Sequence, residues 1–593
     1  MTFSPKSSLL WFAGFTAVFA VAMGCVFWGT WSASIAFVQP DQVVAYGADY
    51  LGDMWRRICK GDAFVPFDLH LLLGGPYVWQ ELCYAFAMYM AALGVVYYLK
   101  GRGLPPLACY GAGAAYGFMG YNFTLFSAGH LGWFMFLVYG PFAFGLIARC
   151  VRKGRWANWL ILGGVLAWGS ARQPDLWLLF TVLAFAYGIF KTAYECREAA
   201  RKEGGARRAF VRVACGVGVC VGALVLAGWP ALHTAIFVQT ANRDKQIAST
   251  TGATGDETTP AARDAAREKR YVFCTNWSLP PDELLEFAVP DVNGASSDPR
   301  VSPRNPYRGR IGMQVAPGRW SPYRQHSLYM GFLTLAFAFL GVAGLFRKRR
   351  DAAEAAGLDS RANRAELVFW CAAALVLLLC ALGGFTPFYR LVFLLPMGDY
   401  IRCPVKFVHL IEWCVAVLAG FGMARMLAFR PGSRPLALLV GALALANMVH
   451  LAMVDARYCA VDPADTARIA VARETGTDSI GFALDATAQI GDADYLVAGG
   501  TAFRDNAALK DALAKGAYAP VSFWNFQTGR FVKTPRERAG FALLKAARPA
   551  ARDDAAGVPS FPGAMACVSL LATAALCGLL VAKAVAHGGG RRI

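Results

Sequence analysis

The sequence predicts an all-α polytopic membrane protein with about twelve transmembrane helices and a small α/β appendage outside the membrane. Hydrophobic residues make up 56% of the chain and charged residues only 16%. Many apolar runs are about 20 residues long, which is the length that crosses the roughly 30 Å hydrocarbon core as a helix. The basic residues, finally, are concentrated in alternate loops.

The apolar runs give the predicted spans in order along the chain. We expect the first run to be a retained span rather than a cleaved signal peptide, because it lacks a small-residue cleavage site and has only Lys6 on its flank. The predicted spans are residues 9–29, 82–99, 105–121, 129–148, 157–170, 175–192, 208–229, 328–346, 366–383, 405–427, 435–453 and 563–584.

The net charge of +19 has a topological explanation. Basic residues cluster in the loops at 100–103, 149–155 and 347–350, whereas the loop at 121–129 has none. This asymmetry places basic loops in the cytoplasm, so both termini are predicted to be cytoplasmic and nucleic-acid binding is the weaker account of the charge. The same topology places three long segments outside, at residues 30–81, 230–327 and 454–562.

The sixteen cysteines predict neither a disulfide framework nor a zinc site. Most of them lie inside apolar runs, where cysteine behaves as a small hydrophobic residue. Only Cys59, Cys274 and Cys459 fall clearly outside such runs, so at most one bridge can form among them. Neither a CxxC pair nor a spaced Cys/His set is present in the sequence.

The loop after the first span carries a candidate acidic pair. Asp49 and Asp53 are four residues apart, which puts both carboxylates on one face if DYLGDMWRRICKG is helical. Such a pair at a membrane surface can accept a proton or bind a divalent cation, which takes about six oxygen ligands. Asp41 is a third candidate, although its place after Pro40 also suits a turn. The alternative for Asp49 is that it serves as a helix N-cap before YLGDMW.

Two later exposed segments differ in pattern. The stretch NWSLPPDELLEFAVPDVNG (276–294) predicts a short helix on the outer membrane surface, started at Ser278, with Asp282 and Glu283 as helix-start charges. Residues 456–562 mix strand-like runs (SIGFAL, ADYLVAG, VSFWNF) with helix-like ones (NAALKDALAKG, RERAGFALLKAA), which predicts a small α/β segment. The last transmembrane helix and a basic cytoplasmic tail follow in residues 563–593.

Several stretches together resemble the bacterial YfhO-like branch of GT-C-type polytopic membrane glycosyltransferases. In the first loop an Asp is followed by an amphipathic stretch with Trp, then Lys-Gly-Asp, Pro and Gly-Gly-Pro. These elements are Asp49, Trp55, residues 60–62, Pro66 and residues 74–76. Three further stretches are similar to motifs of that branch, namely AGHLGWFMFLVYGPF, NWSLPPDELLEFAVPDVNG and DYIRCPVKFVHLIEWCVAVLAGFGM. The resemblance covers roughly residues 1–455.

The resemblance implies a GT-C-like transmembrane domain over residues 1–455, in the bacterial cytoplasmic membrane. It further implies transfer of a hexosyl or pentosyl group from a polyprenyl-phosphate donor to a cell-envelope glycan or lipid acceptor at the outer face. Asp49 and Asp53 are then the candidate catalytic residues, and they are also the candidate ligands if a divalent cation takes part. Trp277 could stack on a sugar, or it could belong to the aromatic belt at the membrane surface.

The departing donor phosphate needs cations at the outer membrane face. Arg402 and Lys406 begin the tenth predicted span from the outside, where side-chain charge and helix dipole add up to favour an anion. The alternative is that both residues are interfacial anchors. His130, at the start of the fourth span, is a further candidate phosphate ligand, although a histidine at a helix end also suits an interfacial hydrogen bond. So is Arg172, between the fifth and sixth spans, unless it pairs with Asp175.

Two other function classes fit a chain with this many spans. A transporter or flippase of a lipid-linked sugar or small solute is one, but the hydropathy shows no two matching halves and few charges lie within spans. A membrane scaffold without catalytic activity is the other, and it leaves the basic pair Arg402 and Lys406 unexplained. We therefore predict an enzyme.

Overall fold

Helices dominate the computed structural model, which describes residues 5–30, 37–38, 55, 58–59, 64–66, 80–170, 174–201, 205–233, 260–312, 323–346, 358, 360–395, 398, 401–464, 466–467, 470–471, 479–490, 493–525, 530–532, 539–547 and 563–589. The helices of the first half are α1 (Pro5–Val26), α2 (Gln80–Gly101), α3 (Pro106–Gly117), α4 (Gly120–Phe123), α5 (Leu125–Ala128), α6 (Phe134–Lys153), α7 (Trp156–Ser170), α8 (Pro174–Arg201), α9 (Ala206–His233) and α10 (Pro260–Cys274). Those of the second half are α11 (Phe332–Ala343), α12 (Arg361–Ala381), α13 (Phe388–Phe393), α14 (Val408–Phe429), α15 (Arg434–Asp455), α16 (Gly500–Asp505), α17 (Ala507–Ala514) and α18 (Ala564–Gly589).

Nine helical spans in the described part of the chain are long and apolar enough to cross a membrane. They are Ser8–Val26, Glu81–Gly101, Phe134–Lys153, Leu176–Arg201, Ala206–Pro230, Arg361–Ala381, Pro404–Phe429, Arg434–Tyr458 and Ala564–Ala584. The predicted class, a helical polytopic membrane protein, is therefore confirmed. The three other predicted spans coincide with α3, α7 and α11, which have 12, 15 and 12 residues. These are shorter than the roughly 20 residues of a full crossing, so the number of twelve stays a prediction.

Helix α14 forms the centre of the bundle, where it packs against α3, α11 and α12. All of its residues from Val408 to Ala424 are buried, as expected for a helix that is apolar on every side. Small residues let the backbones come close: a Cβ atom at Gly341 or Gly422 would overlap backbone oxygens of the facing helix. The centre of the bundle therefore fixes the position of the segment that precedes α14.

The appendage contains a five-stranded sheet with strand order β1-β2-β5-β3-β4. The strands are β1 (Ile480–Ala483), β2 (Tyr495–Gly499), β3 (Tyr518–Asn525), β4 (Arg530–Val532) and β5 (Ala539–Ala546). β1 and β2 are parallel and the other pairs are antiparallel. The predicted small α/β segment is thus present, and its three predicted strands and the helix in NAALKDALAKG are confirmed.

The prediction of a helix in RERAGFALLKAA is wrong, because this stretch contains β5. Both faces of β5 are covered: Leu543 packs on one side, and Ala542 and Leu544 pack on the other. A strand that is buried on both faces has a continuous apolar run instead of an alternating one. Such a run cannot be told from a short buried helix by periodicity alone.

The predicted outer helix in residues 276–294 exists in a tighter and shorter form. It is a 3-10 helix over Pro281–Phe287, preceded by Pro280 rather than capped by Ser278. The Ser278 hydroxyl instead accepts a hydrogen bond from Gly384 N over 2.9 Å and donates one to Thr275 O. The serine therefore joins two segments of the fold, which the helix-start pattern could not reveal.

Candidate functional site

A cavity of about 770 Å³ lies where the segments before α6, before α11 and before α14 meet. Its wall contains three cations, two histidines and several aromatic rings, and no carboxylate belongs to its described lining. The lining residues are Tyr121, His130, Trp133, Trp277, Ile311, Tyr323, Arg324, Gln325, His326, Arg402, Cys403, Val405 and Lys406. Such a wall favours an anionic ligand.

Three of the four predicted phosphate ligands line this one cavity, although they are far apart in sequence. They are His130, Arg402 and Lys406. The fourth, Arg172, lies outside the described residues, as do Asp41, Asp49 and Asp53. The structure therefore brings together the three predicted phosphate ligands that it describes.

An irregular segment holds the two cations in front of α14. Cys403 has a left-handed backbone (φ 60°), which is uncommon for a residue other than glycine. Two backbone hydrogen bonds fix this conformation: Cys403 N donates to Cys274 O (3.2 Å), and Val405 N donates to Trp277 O (3.1 Å). Pro404 then opens a 3-10 turn that continues into α14. This bend lets Arg402 and Lys406 both reach the cavity.

Lys406 and Arg402 both contact aromatic rings. Lys406 is 6% exposed, and its Nζ lies 5.1 Å from the centre of the Trp133 ring, in a cation–π contact. The guanidinium carbon of Arg402 lies 5.9 Å from the centre of the Phe273 ring. Within the described part of the chain, no group accepts a hydrogen bond from the buried Arg402 Nε. An anion in the cavity would meet both cations in a partly desolvated setting, where electrostatic attraction is strong.

A histidine pair lines the cavity beside Trp133. His130 Nδ1 lies 3.2 Å from His326 Nε2, and the two rings stack with centres 5.0 Å apart. The Trp133 ring continues the stack, with its centre 4.5 Å from that of His130. A hydrogen bond between two imidazoles requires one of the nitrogens to donate and the other to accept, so each ring constrains the tautomer of the other.

His326 is held neutral by its surroundings. Burial lowers the pKa of His326 well below its ordinary value, and the nearby His130, His409, Arg324 and Lys406 lower it further. At neutral pH His326 therefore contributes a polar, uncharged imidazole. The positive charge of the wall comes from arginine and lysine.

Behind the cavity wall lies a second polar layer, formed by Glu412, His409 and Asn122. Glu412 of α14 accepts hydrogen bonds from Tyr121 N (3.0 Å) and Asn122 N (3.1 Å), the first turn of α4. His409 Nδ1 lies 2.6 Å from Asn122 Oδ1. The Tyr121 ring is consequently held against His326, with ring centres 4.9 Å apart. The sequence reasoning missed this layer, and the signal for it was a histidine and a glutamate inside an apolar span.

Arg324 has a mainly structural role although it lines the cavity. It is buried, pairs with Glu286 and donates to Gly294 O. Glu283 Oε2 lies 3.7 Å from Arg324 Nη1. These contacts tie the 3-10 helix Pro281–Phe287 to the segment before α11, so the charge of Arg324 is already largely balanced.

The prediction that Glu283 is only a helix-start charge is incomplete. Its side chain is buried and accepts hydrogen bonds from Tyr307 Oη (2.8 and 2.9 Å) and Arg310 N (2.6 Å). Burial raises the pKa of Glu283, while these hydrogen bonds oppose the rise. Asp282 is exposed and pairs with Arg310. Trp277, for which the sequence left two roles open, lines the cavity.

The described residues include no group of three or more His, Cys, Asp or Glu side chains arranged to hold a metal ion. Asp49 and Asp53, the predicted candidate ligands, are outside that part of the chain. Comparison of the sequence and fold with protein-family models, curated proteins and solved structures gives no match.

Proposed function

We propose that this protein is a GT-C-type membrane glycosyltransferase with about twelve transmembrane helices, and that the cavity binds the phosphate of a polyprenyl-phosphate sugar donor. The observation that carries the proposal is the convergence of Arg402, Lys406 and His130 on one cavity of about 770 Å³ with no carboxylate in its described lining. Cations and imidazoles are the usual protein ligands of phosphate.

The chemistry of transfer fits such a wall. The bond between the anomeric carbon and the donor phosphate oxygen breaks, the acceptor hydroxyl oxygen bonds to that carbon, and the hydroxyl proton goes to a base. We assign the base to Asp49, with Asp53 as its neighbour in the first loop. Arg402 and Lys406 stabilise the phosphate as it takes up the negative charge of the broken bond. A divalent cation, if bound by Asp49 and Asp53, would neutralise part of that charge.

The start of α14 adds to the binding of the phosphate. The N-terminal end of a helix is the positive end of its dipole and favours an anion, and α14 follows directly on the segment that holds Lys406. The rings of Trp133 and Trp277 on the same wall offer flat apolar surfaces for a sugar. The acceptor is then a glycan or lipid of the cell envelope, and the site opens on the outer face of the bacterial cytoplasmic membrane.

Transport of a lipid-linked sugar is the second candidate function. The observation that favours it is a buried charge cluster inside the bundle, in which Glu366 pairs with Arg102 (2.6 Å) and Lys191 (3.0 Å). Ionised groups within membrane spans often belong to transport pathways. A transporter and a transferase differ in what they do when no sealed membrane is present.

The decisive experiment is an assay for transfer of radiolabelled sugar from polyprenyl-phosphate donors by the purified full chain in detergent. A transferase forms product there, whereas a transporter forms none and moves the donor only across sealed vesicles. We expect Asp49→Asn to lower the rate about 100- to 10,000-fold, the usual contribution of a positioned base. Unchanged transfer in Asp49→Asn would remove this residue from the mechanism, and absence of product with every donor would exclude a transferase.

A further inference from the structure

A second basic pocket, of about 400 Å³, lies between α8 and the start of α12. We infer that it binds the phosphate headgroup of an anionic phospholipid. Three arginines line it, namely Arg197, Arg201 and Arg361, together with Glu198 and Tyr194. This inference does not depend on the proposed transferase activity, because the pocket shares no residue with the cavity in front of α14.

The arginines of the pocket are only partly balanced by carboxylates. Arg201 pairs with Glu198 over 2.8 Å. Among the described residues, no carboxylate forms an ion pair with Arg197 or Arg361. These two guanidinium groups line one pocket and can bind the two oxygens of a phosphate together. Arginine suits this task better than lysine, because its planar fork matches the geometry of a phosphate.

A buried cluster of charges lies beside the pocket. Glu366 is fully buried and is shared by Arg102 and Lys191, and Glu195 lies near Arg102, so the described charges of the cluster balance and the excess lies on the arginines of the pocket. The Nζ of Lys191 lies 5.3 Å from the centre of the Tyr194 ring, which lines the pocket. Hydroxyls of Tyr98 and Tyr187 also donate to Glu366 and complete the shell of this carboxylate.

The charges of the described residues in this region sum to a positive value. Five described cations belong to the pocket and the cluster, and Glu195, Glu198 and Glu366 provide three carboxylates, which leaves two positive charges. Positive charge that no described carboxylate balances attracts an anion. A phosphate diester supplies one negative charge and several acceptor oxygens at this place.

The surroundings favour a lipid over a soluble anion. Phe190 lines the pocket, and its ring stacks on Phe369 with centres 4.8 Å apart. In the most apolar part of the two spans that form the pocket, Leu176–Arg201 and Arg361–Ala381, only 44% and 33% of the residues are buried. These spans therefore present much of their apolar surface outward, toward the acyl chains, while the arginines lie at their ends.

The pocket is at the other end of the bundle from the cavity. α12 has 21 residues, so it is about 30 Å long. It begins at Arg361 in the pocket, and its last residue Ala381 accepts a hydrogen bond from Leu279 N, close to the cavity wall. The basic pocket and the proposed donor site would thus contact opposite leaflets.

Native mass spectrometry of the delipidated full chain tests this inference. The probes are phosphatidylglycerol and phosphatidylcholine with identical acyl chains. We expect the protein to prefer phosphatidylglycerol, and the double variant Arg197→Gln/Arg361→Gln to bind it about 10- to 100-fold more weakly, since two ion pairs are lost and each is weaker at an exposed group than in a buried site. Both arginines are exposed, so the variant should fold, which size-exclusion chromatography and the melting temperature would verify.

The matched control is Arg207→Gln/Arg208→Gln, which removes two exposed arginines from α9 and should bind phosphatidylglycerol as the unmodified protein does. Equal affinity for both lipids, or an equal loss in the control, would overturn the inference. Inorganic phosphate and glycerol phosphate are tested in parallel at the same concentrations. If these displace the lipid or raise the melting temperature as much as the lipid does, the pocket takes soluble phosphate and the assignment to a lipid is wrong.

Discussion

At the scale of single residues, Lys406 is a buried cation in the wall of the cavity. It is 6% exposed, lies over Trp133, and belongs to the wall of a cavity without a described carboxylate. An exposed anchor would instead point into solvent or lipid headgroups. The burial of Lys406 therefore favours a ligand-binding role over the interfacial one.

We expect Lys406→Met to weaken donor binding about 10- to 100-fold, because a hydrogen bond to a charged group contributes about 1.5–3 kcal/mol. Methionine keeps most of the length and the apolar stem. The Michaelis constant for the polyprenyl-phosphate donor reports the loss, since the cation meets the phosphate already in the ground state. The matched control is Arg430→Ala at the exposed far end of α14. An unchanged Michaelis constant for the donor in Lys406→Met would show that Lys406 does not bind the donor.

His326 predicts a dependence of stability on pH. Its pKa is lowered by burial in the folded protein, whereas in the unfolded chain it stays near 6.5. Below about pH 6.5 the unfolded state therefore binds a proton that the folded state does not, and stability falls by up to about 1.4 kcal/mol per pH unit. Above that pH the contribution of His326 does not change.

The melting temperature in detergent between pH 7.5 and pH 5.0 tests this prediction. His326→Gln keeps a polar side chain of similar reach but does not titrate, so its melting temperature should fall less over this range than that of the unmodified protein. His450→Gln, at an exposed histidine bonded to Tyr329, is the control. Identical pH profiles for all three proteins would contradict the argument.

At the scale of elements, the short helix α4 is held in place by α14. Glu412 is fully buried and accepts hydrogen bonds from two backbone N–H groups of α4. We expect Glu412→Ala to lower the free energy of unfolding by about 2–4 kcal/mol, because two buried donors lose their acceptor. Glu412→Gln retains one carbonyl acceptor and should cost less. If thermal unfolding shows that both variants are as stable as the unmodified protein, the two hydrogen bonds to Glu412 do not stabilise the fold.

The sequence predicted the helices well and the cavity only in part. An apolar run of full membrane length is compatible only with a membrane-spanning helix, so the nine long helical spans that the structure describes could be predicted from the sequence. The strand over residues 539–546 could not be predicted, because a strand covered on both faces has the same apolar run as a short buried helix. The position of Arg402 and Lys406 at a common site could be predicted from their place at a helix start. His326 could not, since it lies in an irregular segment and only the tertiary fold brings it to His130.

At the scale of the whole molecule, the two basic sites lie at opposite ends of one helical bundle. The cavity adjoins the start of α14, and the second pocket adjoins the start of α12. This separation follows from the antiparallel course of successive membrane helices. It makes the orientation of the protein in the membrane a direct test of both proposals, because a donor at the outer face requires the second pocket to face the cytoplasm.

We expect residue 48 to be accessible from outside and residue 348 from inside, because the loop at 347–350 is basic and the first loop is acidic. Ala48→Cys and Lys348→Cys, each in a background that lacks the exposed cysteines, would be labelled with a membrane-impermeant maleimide. In intact cells only the first should react, and both should react after the membrane is opened. Labelling of both from the same side would refute the topology. Labelling of residue 348 alone in intact cells would show that the protein has the opposite orientation, with the donor cavity on the cytoplasmic side and the lipid pocket on the outer side.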